Sequence, residues 1–241
     1  MIVNYTVGGW EIITQRAHGL LAASLASNWS KNVQSHRWIE TLIAIAEHDD
    51  AQLEMEQANL LTPQGGPVDF AMRGMELSHC RETMTRACSK SIYIALLCSY
   101  HLNFLCNDNN NDADLKAFLN EQKALRKKWL EQLGMTNSDL QHDYRLFEWC
   151  DALSLLLCTQ KCQPEGRSLD VSKGPDGNLH KLKAIDSEYL TIEPWPFEQD
   201  QFTVQCEART IEQLAFKNDE EFKRRFNGCI PELRTWKFKK N

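Results

Sequence analysis

Apolar residues recur every three to four positions over roughly the first 165 residues, and the pattern then turns mixed, with stretches that alternate. The chain opens differently. Met1–Tyr5 and Trp10–Thr14 alternate on either side of Val7-Gly8-Gly9, which predicts a small hairpin. Helices are expected over about His18–Trp29, with Leu20, Leu21, Ala23 and Ala26 in helical spacing, and over about Arg37–Asp49, where Trp38, Leu42, Ile45 and Ala46 line one face. Leu61-Thr62-Pro63-Gln64-Gly65-Gly66-Pro67 reads as a loop, because Pro removes a backbone donor and Gly adds freedom. Helical spacing resumes near Phe70 and runs to about Leu105. Asn107–Asn111 then breaks it with polar turn formers. Two further helices fit Leu115–Leu133 and Asp139–Cys158, with capping groups supplied by Thr136–Asp139.

Beyond residue 165, Leu179–Ile192 and Phe202–Glu207 alternate as strands do, and Pro194-Trp195-Pro196 forces a rigid extended turn between them. Asn218 followed by Glu221 resembles a capping box that opens a short helix to Phe226, and Arg234–Lys239 suits a last strand. The expectation is an α+β protein, mainly α. A helical core with the N-terminal hairpin spans 1–165, and a C-terminal α+β extension over 166–241 packs on it. The extension should form a small antiparallel sheet that the hairpin could join.

Composition narrows the field. Apolar residues at 42% and charged residues at 25% argue against disorder. A net charge of −6 gives no general attraction to a polyanion, so nucleic acid is not an expected partner. No stretch resembles a signal peptide, and the most apolar run, Ile92–Cys98, is too short for a bilayer. A cytoplasmic protein without membrane contact is expected. The nine cysteines are scattered, with no Cys-x-x-Cys pair, and read as small apolar residues rather than as a zinc ribbon or disulfide framework.

Candidate chemistry lies in His18, His48-Asp49, His79, His101 and Asp151, spread over separate predicted helices. Imidazole and carboxylate are the usual ligands of Zn, Mn and Fe. Adjacent residues on a helix point about 100° apart, which would let Asp49 bridge two ions while His48 binds one. His79 and His101 are 22 positions apart, so an unbroken helix would separate them by about 33 Å. If both are ligands the helix must break, and Ser89-Lys90-Ser91 is the place, with Ser91 capping the next helix. Asp50 could orient a water or a ligand histidine, as a catalytic residue beside the metal. His36, His142-Asp143 and His180 lie in polar contexts and read as surface groups. Trp195 reads as a packing anchor, and Arg81, Arg86 and Lys90 as a solvated helix face.

The order His … His-Asp … His … His … Asp resembles that of the HD-domain superfamily of metal-dependent phosphohydrolases and their diiron oxygenase relatives. More closely, Gly9-Trp10-Glu11-Ile12-Ile13-Thr14-Gln15, His48-Asp49-Asp50, Asp69-Phe70, Asp151-Ala152-Leu153-Ser154-Leu155 and Pro194-Trp195-Pro196-Phe197 resemble the bacterial domain-of-unknown-function family 3891 over nearly the whole chain. The resemblance implies an HD-like helical bundle with a small sheet. It also implies divalent metal ions (Fe, Mn or Zn) in a mono- or dinuclear His/Asp site. Two departures count against a nucleotide or cyclic-dinucleotide substrate: no Lys follows His48-Asp49, and Tyr100 precedes His101. Three functions follow in order. The first is a metal-dependent phosphohydrolase acting on a small phosphoester, the second a diiron oxygenase, and the third a non-catalytic binding or structural module. The C-terminal strands could cover the site or form the contact of a homo-oligomer.

Overall fold

The protein is described from a computed structural model, covering residues 1–106 and 112–241. The turn expected at Asn107–Asn111 lies outside the described residues. The N-terminal hairpin is present, as β1 (Ile2–Thr6) paired with β2 (Gly9–Ile13). Four helices follow: α1 (Gln15–Ser27), α2 (Trp38–Ala46), α3 (Leu77–Lys90) and α4 (Ile92–Cys106). Helices α5 (Ala113–Leu133) and α6 (Asn137–Cys158) complete the helical layer. The remainder is β3 (Ser168–Lys173), β4 (Leu179–Ala184), β5 (Tyr189–Glu193), β6 (Gln201–Ile211), α7 (Asp219–Gly228) and β7 (Glu232–Lys239).

The expectation of a mainly helical, HD-like bundle with a small antiparallel sheet is overturned. All seven strands among the described residues join one mixed sheet in the order β1-β2-β6-β7-β5-β4-β3, curled into a half-barrel. The hairpin enters it through β2, whose Trp10, Glu11 and Ile12 pair with Ile211, Thr210 and Arg209. Nor is the sheet wholly antiparallel, since β5 and β7 run parallel. The single strand read over Leu179–Ile192 is a β4–β5 hairpin, turned where Asp186 accepts from the backbone N–H groups of Glu188 and Tyr189. Strand β3 escaped notice because its short, half-exposed pattern is interrupted by a register shift between Asp170 and Lys173.

The sheet covers the helices with one face. Along β6, Phe202, Val204, Cys206 and Ala208 are buried while the residues between them are exposed, as the period of two requires. α4 and α6 are buried nearly all round, which makes them the central helices of the layer. Trp29, Trp149 and Phe197 fasten the two layers together: the two Trp rings meet edge-on at 4.4 Å between centroids, and Phe197 lies 5.9 Å from each. His180, expected at the surface, is only 1% exposed and stands edge-on to both Trp rings. Asp143, also expected outside, is buried and accepts from the Tyr93 hydroxyl at 2.7 Å. No helix among the described residues is long and apolar enough to cross a membrane.

Candidate metal centre

The buried positions of α1 include Gln15, His18, Gly19, Ala22, Leu25 and Ala26, spaced by three and four, so His18 faces inward with the apolar residues. Thr14 starts this helix by accepting from the Ala17 N–H with its side chain. α2 ends at Ala46, and the His48-Asp49 pair therefore stands in the turn just beyond the helix, not on it as expected. The helix end holds the pair in place, since His48 Nδ1 donates to the Ile45 carbonyl at 2.8 Å. His101 comes from α4 and Asp151 from α6.

These elements bring five of the expected residues together. His18 Nε2 lies 3.1 Å from Asp49 Oδ2 and 3.8 Å from Asp151 Oδ1, and His48 Nε2 lies 3.5 and 3.3 Å from the same two oxygens. His101 Nε2 flanks the group at 3.7 Å from Asp151 Oδ2. The donor atoms of His18, His48 and Asp49, and those of His48, His101 and Asp151, form two sets that could each hold a metal ion. The other two residues stand apart. α3 does end at Lys90 and α4 begins after an extended Ser91 whose hydroxyl accepts from Tyr93 N–H, so the expected helix break exists. Even so, His79 is not in either set. It lines the cavity beside them, where its Nε2 accepts from Gln57 Nε2 at 3.1 Å. Asp50 pairs with Arg16 at 3.2 Å and lines a different surface hollow.

Each imidazole that aims Nε2 at the cluster has its Nδ1 held from behind. Besides the His48 bond, His18 Nδ1 meets Ser154 Oγ at 2.9 Å and His101 Nδ1 meets the Tyr144 hydroxyl at 3.3 Å. Ser154 spends its own proton on the Asp151 carbonyl at 2.8 Å, so its oxygen can only accept from His18. In both His18 and His48 Nδ1 thus carries a proton, and Nε2 faces carboxylate oxygens. A ring nitrogen and a carboxylate oxygen so placed share either a proton or a metal ion. Donors about 2.0–2.2 Å from a common ion stand roughly 3–3.6 Å from one another, close to the four separations between the two histidines and two carboxylates. The residues present therefore fit a divalent ion, with ligands oriented from the rear as in established metal sites.

The charges agree. Burial alone would push the His48 imidazolium down, but the carboxylates of Asp49 and Asp151 outweigh it and raise its pKa to about 10. Burial works to raise both carboxylates, yet His48 foremost, with His18 and His101, holds Asp49 and Asp151 below the usual range. For His101 burial wins over the attraction of Asp151, and its pKa falls to about 4, which leaves a neutral ring able to ligate. The group forms the floor of a cavity of about 170 Å³. Gln15 and Gln52 line the same cavity and donate to Asp49 at 3.3 and 2.9 Å. None of Gln15, Gln52, Ser154 and Tyr144 was assigned a role from the sequence, although Gln15 and Ser154 lie within the motifs that carry the family resemblance. Gln15 precedes His18 by three and Ser154 follows Asp151 by three, a one-turn spacing that could have drawn attention to them.

No curated protein and no solved structure matches the chain. A family described as protein of unknown function DUF3891 matches residues 1–213, which reaches through β6 and stops before α7 and β7. The match carries neither an HD-domain assignment nor a bacterial source, so both expectations lack support. With most of its length covered, the chain belongs to the DUF3891 family.

Proposed function

We propose that the protein is a metal-dependent enzyme that binds one divalent ion through His18, His48, Asp49 and Asp151, with His101 at its flank, and hydrolyses a small phosphoester. The observation that carries this reading is the pair of Nδ1-protonated histidines whose Nε2 atoms face two carboxylates in the floor of a cavity. Such an ion would polarise a phosphoryl oxygen and make water a stronger nucleophile near neutral pH. The chain's own groups do the rest. Ser154, Ile45 and Tyr144 fix the imidazoles, and Gln15 and Gln52 hold the Asp49 carboxylate against rotation. The cavity, lined by all five residues of the cluster, would admit a small molecule beside them.

Elemental analysis of the purified protein, for wild type and Asp49→Ala, tests the metal. The expected result is close to one ion per chain, falling to a small fraction in the variant. Turnover of small phosphomonoesters and phosphodiesters by the loaded wild type, and its loss in Asp49→Ala, tests the reaction. No retained metal after reconstitution with zinc, manganese or iron would overturn the metal reading. A loaded protein that cleaves no phosphoester would overturn the hydrolysis.

A further inference from the structure

The cavity above the metal cluster carries a cation that the cluster does not use. Arg73 lines the cavity, and its guanidinium donates to the Gln57 side-chain oxygen at 2.8 Å and to the backbone carbonyls of Asn59 and Ala58 at 2.6 and 3.4 Å. All three acceptors are neutral. Among the described residues no carboxylate pairs with Arg73, although the lining holds Glu54 and Glu76. Glu54 is occupied by the Gln15 N–H at 2.7 Å and the Met1 amino group at 3.1 Å, while Glu76 is exposed and meets the Ser78 hydroxyl. A guanidinium has five donors in a rigid fork, and carbonyl acceptors hold its plane still without cancelling its charge. An arginine so placed retains both donors and charge for an oxyanion.

His79 belongs to this arrangement. The Gln57 amide can only donate from its nitrogen, so His79 Nε2 accepts and the His79 proton sits on Nδ1. Gln57 thereby ties the His79 ring and the Arg73 guanidinium into one fixed unit on the cavity wall. A second feature points to a ligand: Gln15, 4% exposed and on the same lining, has an amide oxygen with no hydrogen-bond partner. A buried acceptor left unmade costs about 1–3 kcal/mol, and a donor arriving with the substrate would relieve it.

We infer that Arg73, braced by Gln57 and His79, is the anion-binding subsite of the cavity, and that the substrate is a small molecule with an oxyanion at Arg73 and a hydroxyl or amine donor for Gln15. The inference takes the reacting end of the substrate from the metal reading above, but the oxyanion contact does not depend on a metal.

Calorimetric titration with inorganic phosphate and, separately, with acetate tests it. Both are titrated into chelator-treated and zinc-loaded protein, for wild type, Arg73→Gln and Arg73→Lys. We expect wild type to bind at least one anion in both forms. Arg73→Gln should weaken that binding about ten-fold or more with zinc content unchanged, and Arg73→Lys should fall between. Tighter phosphate assigns the subsite to a phosphate group, and tighter acetate to a carboxylate. Equal affinity in wild type and Arg73→Gln, or no anion binding by wild type, overturns the inference. Should Arg73→Gln fail to fold, Arg73→Lys decides alone: a loss of about three-fold or more supports the subsite and an unchanged affinity overturns it. If no form retains zinc while the chelator-treated arm still shows the Arg73 effect, the subsite stands and the metal reading falls.

Discussion

Ser154 is wholly buried, and its hydroxyl, pinned to the Asp151 carbonyl, leaves His18 one tautomer. Removing that acceptor in Ser154→Ala frees the ring to turn and strands its Nδ1–H. Zinc affinity, measured by competition with a chromophoric chelator, should fall about 10–100-fold. An unchanged affinity would show that Ser154 does not set the ring. His48 gives the site a dependence on pH. Its folded pKa of about 10 lies above its ordinary 6.5, so in metal-free protein its contribution to stability is complete below about pH 6.5 and is lost as pH rises through about 10. The melting temperature of chelator-treated protein should therefore decline between about pH 7 and 9.5, and the decline should be shallower in His48→Gln or with zinc bound. His101 acts in the opposite sense: its depressed pKa removes stability as pH falls from 6.5 toward about 4. His18, His48, Asp49, His101 and Asp151 stood out in the sequence because ligand chemistry is confined to few residue types. Asp50 and His79 stood out for the same reason and were placed elsewhere, since residue type carries no direction. Asp50 follows two candidate ligands but turns outward to Arg16.

Gly19 shows what the helices need from one another. A Cβ there would lie 2.5 Å from the Ala46 carbonyl oxygen, so α1 crosses the end of α2 in direct backbone contact. That crossing sets His18 against the turn that carries His48 and Asp49. Gly19→Ala ought to gain about 1 kcal/mol from helix propensity alone. We expect instead a net loss of roughly 1–3 kcal/mol in chemical denaturation, with weakened zinc binding, because α1 must move away. A stabilised variant with intact zinc affinity would show that the two helices tolerate separation. The periodic apolar pattern made α1, α2, α5 and α6 legible to within a few residues, whereas the Ser91 break between α3 and α4 was expected on the premise that His79 and His101 share a site, and His79 stands outside both candidate sets. The placement of His48 and Asp49 beyond α2 was not legible. A helix end is set there by a side chain that bonds back to Ile45, which periodicity does not register.

At the scale of the molecule, the two layers share one core, with Phe197 touching Trp29 and Trp149 on the helical side and Phe202 and Phe238 on the sheet. Phe197→Ala should cost about 3–5 kcal/mol and lower the melting temperature in a single transition seen alike by tryptophan fluorescence and far-ultraviolet circular dichroism. Two separated transitions would mean that the layers fold independently. The size of the sheet could not be read along the chain because it depends on pairings between distant segments. β2 meets β6 across about two hundred residues, and nothing local in either strand announces its partner. The position of β7 has a further consequence for biosynthesis. It lies between β6 on one side and β5 on the other, at the middle of the strand order. While the chain emerges from a ribosome, β1-β2-β6 and β5-β4-β3 can each assemble, but as two separate ribbons with bare inner edges. Hydrogen bonding between them needs residues 232–239, so between the release of β6 and that of β7 two inner edges are open to a chaperone or to another nascent chain.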